Sequence, residues 1–264
     1  MSGRRVLAVD WSGDARAAHR RIRVAEAAPG RLVSVEAGLD RDAVVHRLAG
    51  LAAQARDGGP HVVAGLDFSF GLPAWFAREH GCADAPAVWD LVAREGERWL
   101  RECPPPFWGR PGTRRPPPDP DRPLWRATEL ASPYRPLSTF QVGGAGAVGT
   151  GSLRGMPLLA RLRAAGVAVW PVDPAGPATV VEIYPRELTG PVVKSDAAAR
   201  RAYARADARV PSGLVEAATA TEDAFDAAFS ALAMAEHAEV PGGSGPLDAA
   251  AGLEELEGRI WRPD

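Results

Sequence analysis

The apolar residues at the start of the chain fall into short segments with strand-like patterns. Residues 6–9 are all apolar, which is typical of a strand that is covered on both faces, and the run ends in Asp10. Residues 21–25 and 31–35 form two more such segments around Pro29-Gly30, which suits the two central positions of a type II turn. The pattern therefore predicts a central strand followed by an antiparallel hairpin.

A helix and a second buried strand are predicted next. Asp40 can cap a helix whose apolar positions recur at helical spacing until Gly58-Gly59 ends the pattern. Residues 61–66 form another buried strand, which ends in Asp67. A helix between two such strands implies a right-handed crossover, so the strands that end in Asp10 and Asp67 should be parallel neighbours. Because ligands of open α/β sheets bind at the carboxyl ends of the strands, both carboxylates are expected at the binding site.

Residues 68–155 are predicted to form a large insertion, with helical segments near 74–80 and 86–101. The glycines of 144–149 match the GxGxxG pattern of dinucleotide-binding proteins. The preceding apolar run is brief, however, and the next helix is expected to begin at Pro157 rather than at the glycines. The segment is therefore interpreted as a loop and not as a Rossmann fingerprint.

The last predicted helix is apolar on nearly all of its faces, which is typical of a buried helix. Thr219 and Glu222 fit a capping box, and the positive end of the helix can account for Glu222 and Asp223. Asp226 lies beyond that explanation, and a buried carboxylate is costly without a partner. Asp223 and Asp226 are three residues apart and share one face of the helix, as two ligands of one metal site would need.

Four carboxylates that are distant in the chain are thus predicted to meet. Asp10 and Asp67 end buried strands, and Asp223 and Asp226 begin the last helix. Carboxylates brought close together repel each other unless cations bind, and ligands that are only oxygen favour Mg²⁺ or Mn²⁺. Two such ions about 4 Å apart would hold the attacking and the leaving oxygen of a phosphoryl displacement.

Two residues at this site have alternative interpretations. Asp226 could instead form an ion pair with an arginine such as Arg186 or Arg200. Glu182, in a strand predicted over 179–185, could be a further catalytic ligand or could position the attacking water. A lone acid on an edge strand is, however, often simply solvated.

Composition narrows the class of protein. The 264 residues are 46% hydrophobic and 24% charged, which excludes a disordered or collagen-like chain. The formal net charge of −2 gives no global argument for binding nucleic acid or an anionic membrane. Two cysteines cannot form a disulfide framework, and neither a signal-peptide pattern nor a membrane-spanning stretch is apparent. We therefore expect a cytoplasmic protein without a membrane partner, and its oligomeric state is not indicated.

One segment of the insertion is locally basic. Proline is frequent from 103 to 136, and the stretch 98–135 contains eight arginines against four acidic residues. This segment could be a lid or arm that contacts nucleic acid, with aromatic side chains stacked on bases. The alternative is a proline-rich surface loop. The candidate contact residues are Arg110, Arg114, Arg115 and Trp108, and Phe107 and Trp125 are further rings that could stack.

The motifs together resemble a known family, the "domain of unknown function 429" family of predicted RNase H-like nucleases. The resemblance rests on Val-Asp10-Trp-Ser-Gly, Gly65-Leu-Asp67-Phe-Ser-Phe-Gly-Leu-Pro73, Glu182-Ile-Tyr-Pro185 and Glu222-Asp223-Ala-Phe-Asp226-Ala-Ala. It implies an α/β fold with a mixed, RNase H-like sheet flanked by helices, in which the first three strands are antiparallel and the fourth is parallel to the first. It also implies metal binding by Asp10, Asp67, Asp223 and Asp226, although Asp67 could instead support the loop that follows it.

The leading hypothesis is therefore a Mg²⁺- or Mn²⁺-dependent nuclease or phosphodiesterase that acts on DNA or RNA by a two-metal mechanism. It would be a single RNase H-like domain over 1–264, with the insertion at about 68–155 as a lid or arm and 240–264 as a C-terminal extension. Two other classes remain open. One is an actin-like sugar or metabolite kinase that shares the strand order. The other is a non-catalytic scaffold or nucleic-acid-binding module whose acids only form ion pairs.

Overall fold

A computed structural model describes residues 3–144, 146–237 and 252–263. The described residues form one sheet of six strands: β1 (Arg4–Asp10), β2 (Arg23–Ala28), β3 (Arg31–Ala37), β4 (His61–Leu66), β5 (Ala168–Val169) and β6 (Ala178–Glu182). Their order across the sheet is β3-β2-β1-β4-β6-β5. The first three strands are antiparallel, β4 is parallel to β1, and β6 is parallel to both β4 and β5. The predicted hairpin and the parallel pairing of the strands before Asp10 and Asp67 are confirmed.

The helices lie on both faces of the sheet. The described residues form α1 (Ala18–Arg21), α2 (Arg41–Arg56), α3 (Ala74–Glu79), α4 (Ala85–Glu102), α5 (Ala127–Leu130), α6 (Val148–Ala164), α7 (Ala197–Ala206), α8 (Val215–Thr219), α9 (Glu222–Glu236) and α10 (Glu254–Glu257), with 3₁₀ turns at Pro185–Glu187 and Ser212–Leu214. The cap predicted for α2 is confirmed, because Asp40 Oδ1 accepts a hydrogen bond from the Ala43 amide at 2.8 Å. The fold is therefore an α/β structure with a mixed sheet.

Two hydrophobic cores, one on each face, follow from the alternation of side chains along the strands. On β1, Leu7 and Val9 join the core beneath α2, α4 and α6. Val6 and Ala8 point the other way, into the core beneath α9. The same alternation decides to which face of the sheet the side chain at a strand end points.

The start of α6 differs from the prediction, because the helix begins at Val148 and Pro157 lies inside it. A proline inside a helix removes one backbone hydrogen bond and costs about 3 kcal/mol, which is why the sequence favoured a later start. Packing of α6 along α4 outweighs this cost. Gly149 is needed at the beginning of the helix, since a Cβ there would lie 2.3 Å from the Thr139 carbonyl oxygen.

Part of the insertion contributes to the core. Trp89, Trp99, Phe107 and Phe140 are all buried in the core on the α4 face. Within the predicted C-terminal extension, residues 252–263 pack against the domain, and 240–251 and 264 lie outside the described residues. None of the helices in the described part of the chain is long and apolar enough to cross a bilayer.

Candidate functional site

The register of the two central strands places Asp10 and Asp67 side by side. Val9 pairs with Leu66 in the parallel ladder, so the next residues, Asp10 and Asp67, leave neighbouring strands at the same level. Alternate residues of a strand point to the same face, so Asp10 points to the same face as Val6 and Ala8. Both carboxylates therefore emerge on the α9 face of the sheet.

The first turns of α9 bring two more carboxylates to this edge. Thr221 caps the helix, accepting a hydrogen bond from the Ala224 amide at 3.0 Å, so the cap is Thr221 and not the predicted Thr219. The helix packs on β1 and β2, and ten of its fifteen residues are buried, in agreement with its apolar composition. Asp223 and Asp226 project from its first turns and are partly exposed.

The pKa values of Asp10, Asp67 and Asp226 are raised at this site. Burial and the negative charges of Asp67, Asp223 and Asp226 raise the pKa of Asp10 well above its usual range. Burial and the charge of Asp226 raise the pKa of Asp67 to about 8, against a lowering effect of a nearby ammonium group. Burial also raises the pKa of Asp226. These four acids, which are distant in the chain, therefore lie near enough to interact electrostatically.

The ammonium group belongs to Lys194, which sequence reasoning missed. Its Nζ donates to both carboxylate oxygens of Asp226, at 2.7 and 2.6 Å. Arg200, one of the arginines considered for Asp226, instead donates to the Thr219 and Lys194 carbonyl oxygens. A signal was available, because Lys194 is the only lysine in the chain although arginine is abundant.

Glu182 lies on the opposite side of the sheet from the other acids. It pairs with Leu66 in the β4–β6 ladder. Its side chain therefore points to the same face as Leu66, towards the core beneath α6. β6 is an interior strand, and Glu182 is only 3% exposed, so the edge-strand interpretation is wrong. Sequence alternation cannot reveal this, because Val181 and Ile183, the residues on either side of Glu182, are both apolar.

The oxygens of Glu182 are occupied by a buried network around Arg126. The Arg126 guanidinium, which is fully buried, donates to both oxygens of Glu182 at 2.8 and 2.5 Å and to Glu129 at 3.0 Å. The Phe70 amide also donates to Glu182, at 2.8 Å. Burial raises the pKa of Glu129 to about 7 despite this arginine. We therefore place Glu182 in the structural support of the site and not among the candidate metal ligands.

An open cleft of about 560 Å³, which we call the main cleft, lies beside the carboxylates. Asp67 and Tyr184 line it, together with Trp11 and the residues that begin α6. The rim is fixed by Arg154, which donates to the Gly13 carbonyl oxygen and pairs with Glu97 at 2.7 Å. A substrate in this cleft would reach Asp67 directly.

The residues predicted to contact nucleic acid are separated by the fold. Arg110 lines the main cleft and Arg114 is exposed, whereas Arg115 lies over the ring of Trp125 at 4.6 Å. Trp108 is only 8% exposed and Phe107 is 2% exposed, because both rings belong to the core. The proposed stacking on Trp108 and Phe107 is therefore not available.

The donor atoms of the site suit a hard divalent cation, although the present spacing of these described side chains does not form a metal site. Four carboxylates supply only oxygen, and their mutual repulsion is what a cation would relieve. Among the described residues, no three histidine, cysteine, aspartate or glutamate side chains are grouped in a geometry that could hold a metal ion. Asp226 would have to exchange the ammonium of Lys194 for such a cation.

Comparison with known proteins adds no relative. No family model, curated protein or solved structure matches this chain. The functional argument therefore depends on the geometry of the site.

Substitution of Asp67 by asparagine should stabilise the metal-free protein at high pH. The folded protein keeps the Asp67 proton up to about pH 8, whereas the unfolded chain releases it near pH 4, at about the usual pKa of aspartate. The folded state thus binds more protons between these values, and its stability falls as pH rises through this window. One pKa unit corresponds to about 1.4 kcal/mol. The free energy of unfolding of Asp67→Asn should therefore exceed that of the wild type by a few kcal/mol at pH 8.

Urea denaturation in EDTA at several pH values from 4 to 8 measures this difference. The advantage of Asp67→Asn should shrink towards pH 4, where the unfolded chain also begins to bind the proton. Asp90, which is exposed on α4, provides the control, and Asp90→Asn should show no such dependence. An advantage for Asp67→Asn that is the same at all pH values would contradict the clustering of the carboxylates.

Proposed function

We propose that this chain is a Mg²⁺- or Mn²⁺-dependent phosphodiesterase, and specifically a nuclease with an RNase H-like fold. The antiparallel first three strands and the parallel fourth strand support this fold and the resemblance to the domain of unknown function 429 family. The observation that carries the function is the convergence of Asp10, Asp67, Asp223 and Asp226 on one edge of the sheet, beside an open cleft.

Each group in the site has a distinct role in this proposal. Asp10, Asp67, Asp223 and Asp226 would hold the cations. When bound, Mg²⁺ or Mn²⁺ supplies Lewis-acid activation of water and stabilises the charge of the phosphoryl transition state. The main cleft binds and orients the phosphodiester against Asp67. Arg126, Glu182 and Glu129 hold the adjoining segments in place through buried hydrogen bonds.

The Lys194–Asp226 ion pair favours a second candidate, a non-catalytic scaffold whose acids are neutralised by the protein itself. In that function Lys194 would remain ion-paired with Asp226, and no cation would be needed to neutralise the carboxylate. The kinase hypothesis has less support, because the described residues form one sheet and no second copy of the strand order.

Calorimetric titration with Mn²⁺ and an assay of phosphodiester hydrolysis test the proposal together. We expect calorimetry to detect binding of Mn²⁺ to the purified protein. We also expect the protein to cleave labelled single-stranded oligonucleotides in the presence of Mn²⁺ or Mg²⁺ and not in EDTA. The scaffold function predicts that neither binding nor cleavage is detected. That result would overturn the nuclease proposal.

A further inference from the structure

A second cleft lies beside the Lys194–Asp226 ion pair. This side cleft, of about 720 Å³, is lined by Lys194, which holds Asp226, and by Glu222, the neighbour of Asp223. Residues of the same two segments, 134–137 and 182–187, line both the side cleft and the main cleft. The two clefts are therefore neighbours: Asp67 lines the main cleft, and Asp226 is bonded to Lys194 of the side cleft.

Both clefts carry arginines that are available to an anion. Arg110 and Arg21 line the main cleft, and Arg186 lines the side cleft. Arg110 and Arg186 are exposed, and neither forms a salt bridge with an acidic residue within the part of the chain that the structure describes. Phosphates of a polymer could thus be neutralised in both clefts.

The rims of the clefts are also unusually apolar. Of the five large hydrophobic residues that are exposed in the described structure, three line these clefts: Tyr134, Leu137 and Val193. Tyr134 is 50% exposed and stands where the segment 134–137 separates the two clefts. An exposed ring at this position offers a face on which an unpaired base can stack.

We propose that the two clefts form one track for single-stranded nucleic acid, with a base stacked on Tyr134 and phosphates held by Arg110 and Arg186. This inference rests on the proposed nuclease function, for which it specifies the substrate class. A single strand fits because its bases are free to stack and its backbone can enter a recessed site. Bases in a duplex are already stacked on one another and cannot use Tyr134 in this way.

Fluorescence anisotropy with labelled oligothymidylate, oligouridylate and a DNA duplex tests the track. Binding is measured with Asp10→Asn in Mg²⁺ to limit cleavage. We expect both single strands to bind more tightly than the duplex. Adding Tyr134→Ala should weaken binding of single strands by about 10-fold, as loss of one stacked base does, and Tyr134→Phe should retain it. A preference for one of the two single strands would distinguish DNA from RNA as the substrate.

The salt dependence tests the two arginines separately. Arg110→Ala and Arg186→Ala should each reduce the slope of log affinity against log salt concentration by about 0.7, the contribution of one phosphate contact on a single strand. Arg31 is the matched control, because it is exposed at the opposite end of the sheet, where β3 begins, and Arg31→Ala should leave the slope unchanged.

The outcomes separate this inference from the proposed function. Equal binding of single strand and duplex, or unchanged binding by Tyr134→Ala, overturns the track even if the wild type cleaves DNA with Mn²⁺. Binding of single strands that depends on Tyr134, without Mn²⁺ binding or cleavage by the wild type, supports the track and overturns the nuclease.

Discussion

Replacement of Arg126 by methionine should lower the free energy of unfolding by about 3–5 kcal/mol, the usual cost of removing one partner from a buried ion pair. Arg126 is fully buried and neutralises Glu182 and Glu129, which are 3% and 2% exposed. It also donates to the Glu257 carbonyl oxygen at 2.8 Å and so connects the C-terminal segment to the sheet. Without the guanidinium, two carboxylates would remain buried without a counter-ion.

Urea denaturation at neutral pH measures this loss, and Arg98 supplies a matched control. Arg98 pairs with Glu95 at 2.7 Å, a three-residue spacing like that of Arg126 and Glu129, but its side chain is 50% exposed. Arg98→Met should therefore lower the free energy of unfolding by at most about 1 kcal/mol. Adding Glu182→Gln to Arg126→Met should recover part of the stability, because one unpaired charge is removed. Equal losses for Arg98→Met and Arg126→Met would show that the buried network is not stabilising.

Replacement of Asp10 by asparagine should reduce Mn²⁺-dependent hydrolysis by about 1,000-fold, which corresponds to about 4 kcal/mol of transition-state stabilisation. Asp10 leaves the central strand near the other three carboxylates, so in the proposed site its charge would contribute directly to holding a cation. If Mn²⁺ binds as proposed, it should stabilise the wild type by about 2.7 kcal/mol at 100 times the dissociation constant, and the same variant should lose this stabilisation. Asparagine preserves the shape of the side chain, so the fold should be retained.

Initial rates on a labelled oligonucleotide and melting temperatures with and without Mn²⁺ measure the two effects. Asp90→Asn, on the exposed face of α4, is the control and should match the wild type in both assays. Wild-type activity in Asp10→Asn would remove Asp10 from the catalytic machinery. A loss of hydrolysis with unchanged Mn²⁺ stabilisation would show that Asp10 does not hold the cation.

The predictions were correct where interactions between residues close in sequence determine the structure. The apolar runs, the Pro29-Gly30 turn and the Asp40 cap predicted the first four strands and α2. The helix start at Val148 was missed, because packing on α4 overrides the local cost of Pro157. The burial of Trp108 was missed for a similar reason, since a composition rich in proline and arginine does not show which aromatic rings reach the core.

The partners of the site residues required the tertiary structure. Asp226 is bound by Lys194, a residue 32 positions away, and no local pattern connects the two. Arg126 similarly reaches Glu182 from 56 positions away. Ion pairs of this kind depend on which segments pack together, and the sequence offered only the weak signal of a single lysine.

The sequence by itself determined that Asp10 and Asp67 leave adjacent parallel strands at one edge of the sheet, because a crossover helix between two buried strands permits little else. Only the tertiary structure decided which face each acid uses. Glu182 pairs with Leu66 and not with Asp67, and this one-residue difference in register sends it to the opposite face, towards Arg126. In a strand buried on both sides the residues show no polar alternation, so the sequence carries no record of that choice.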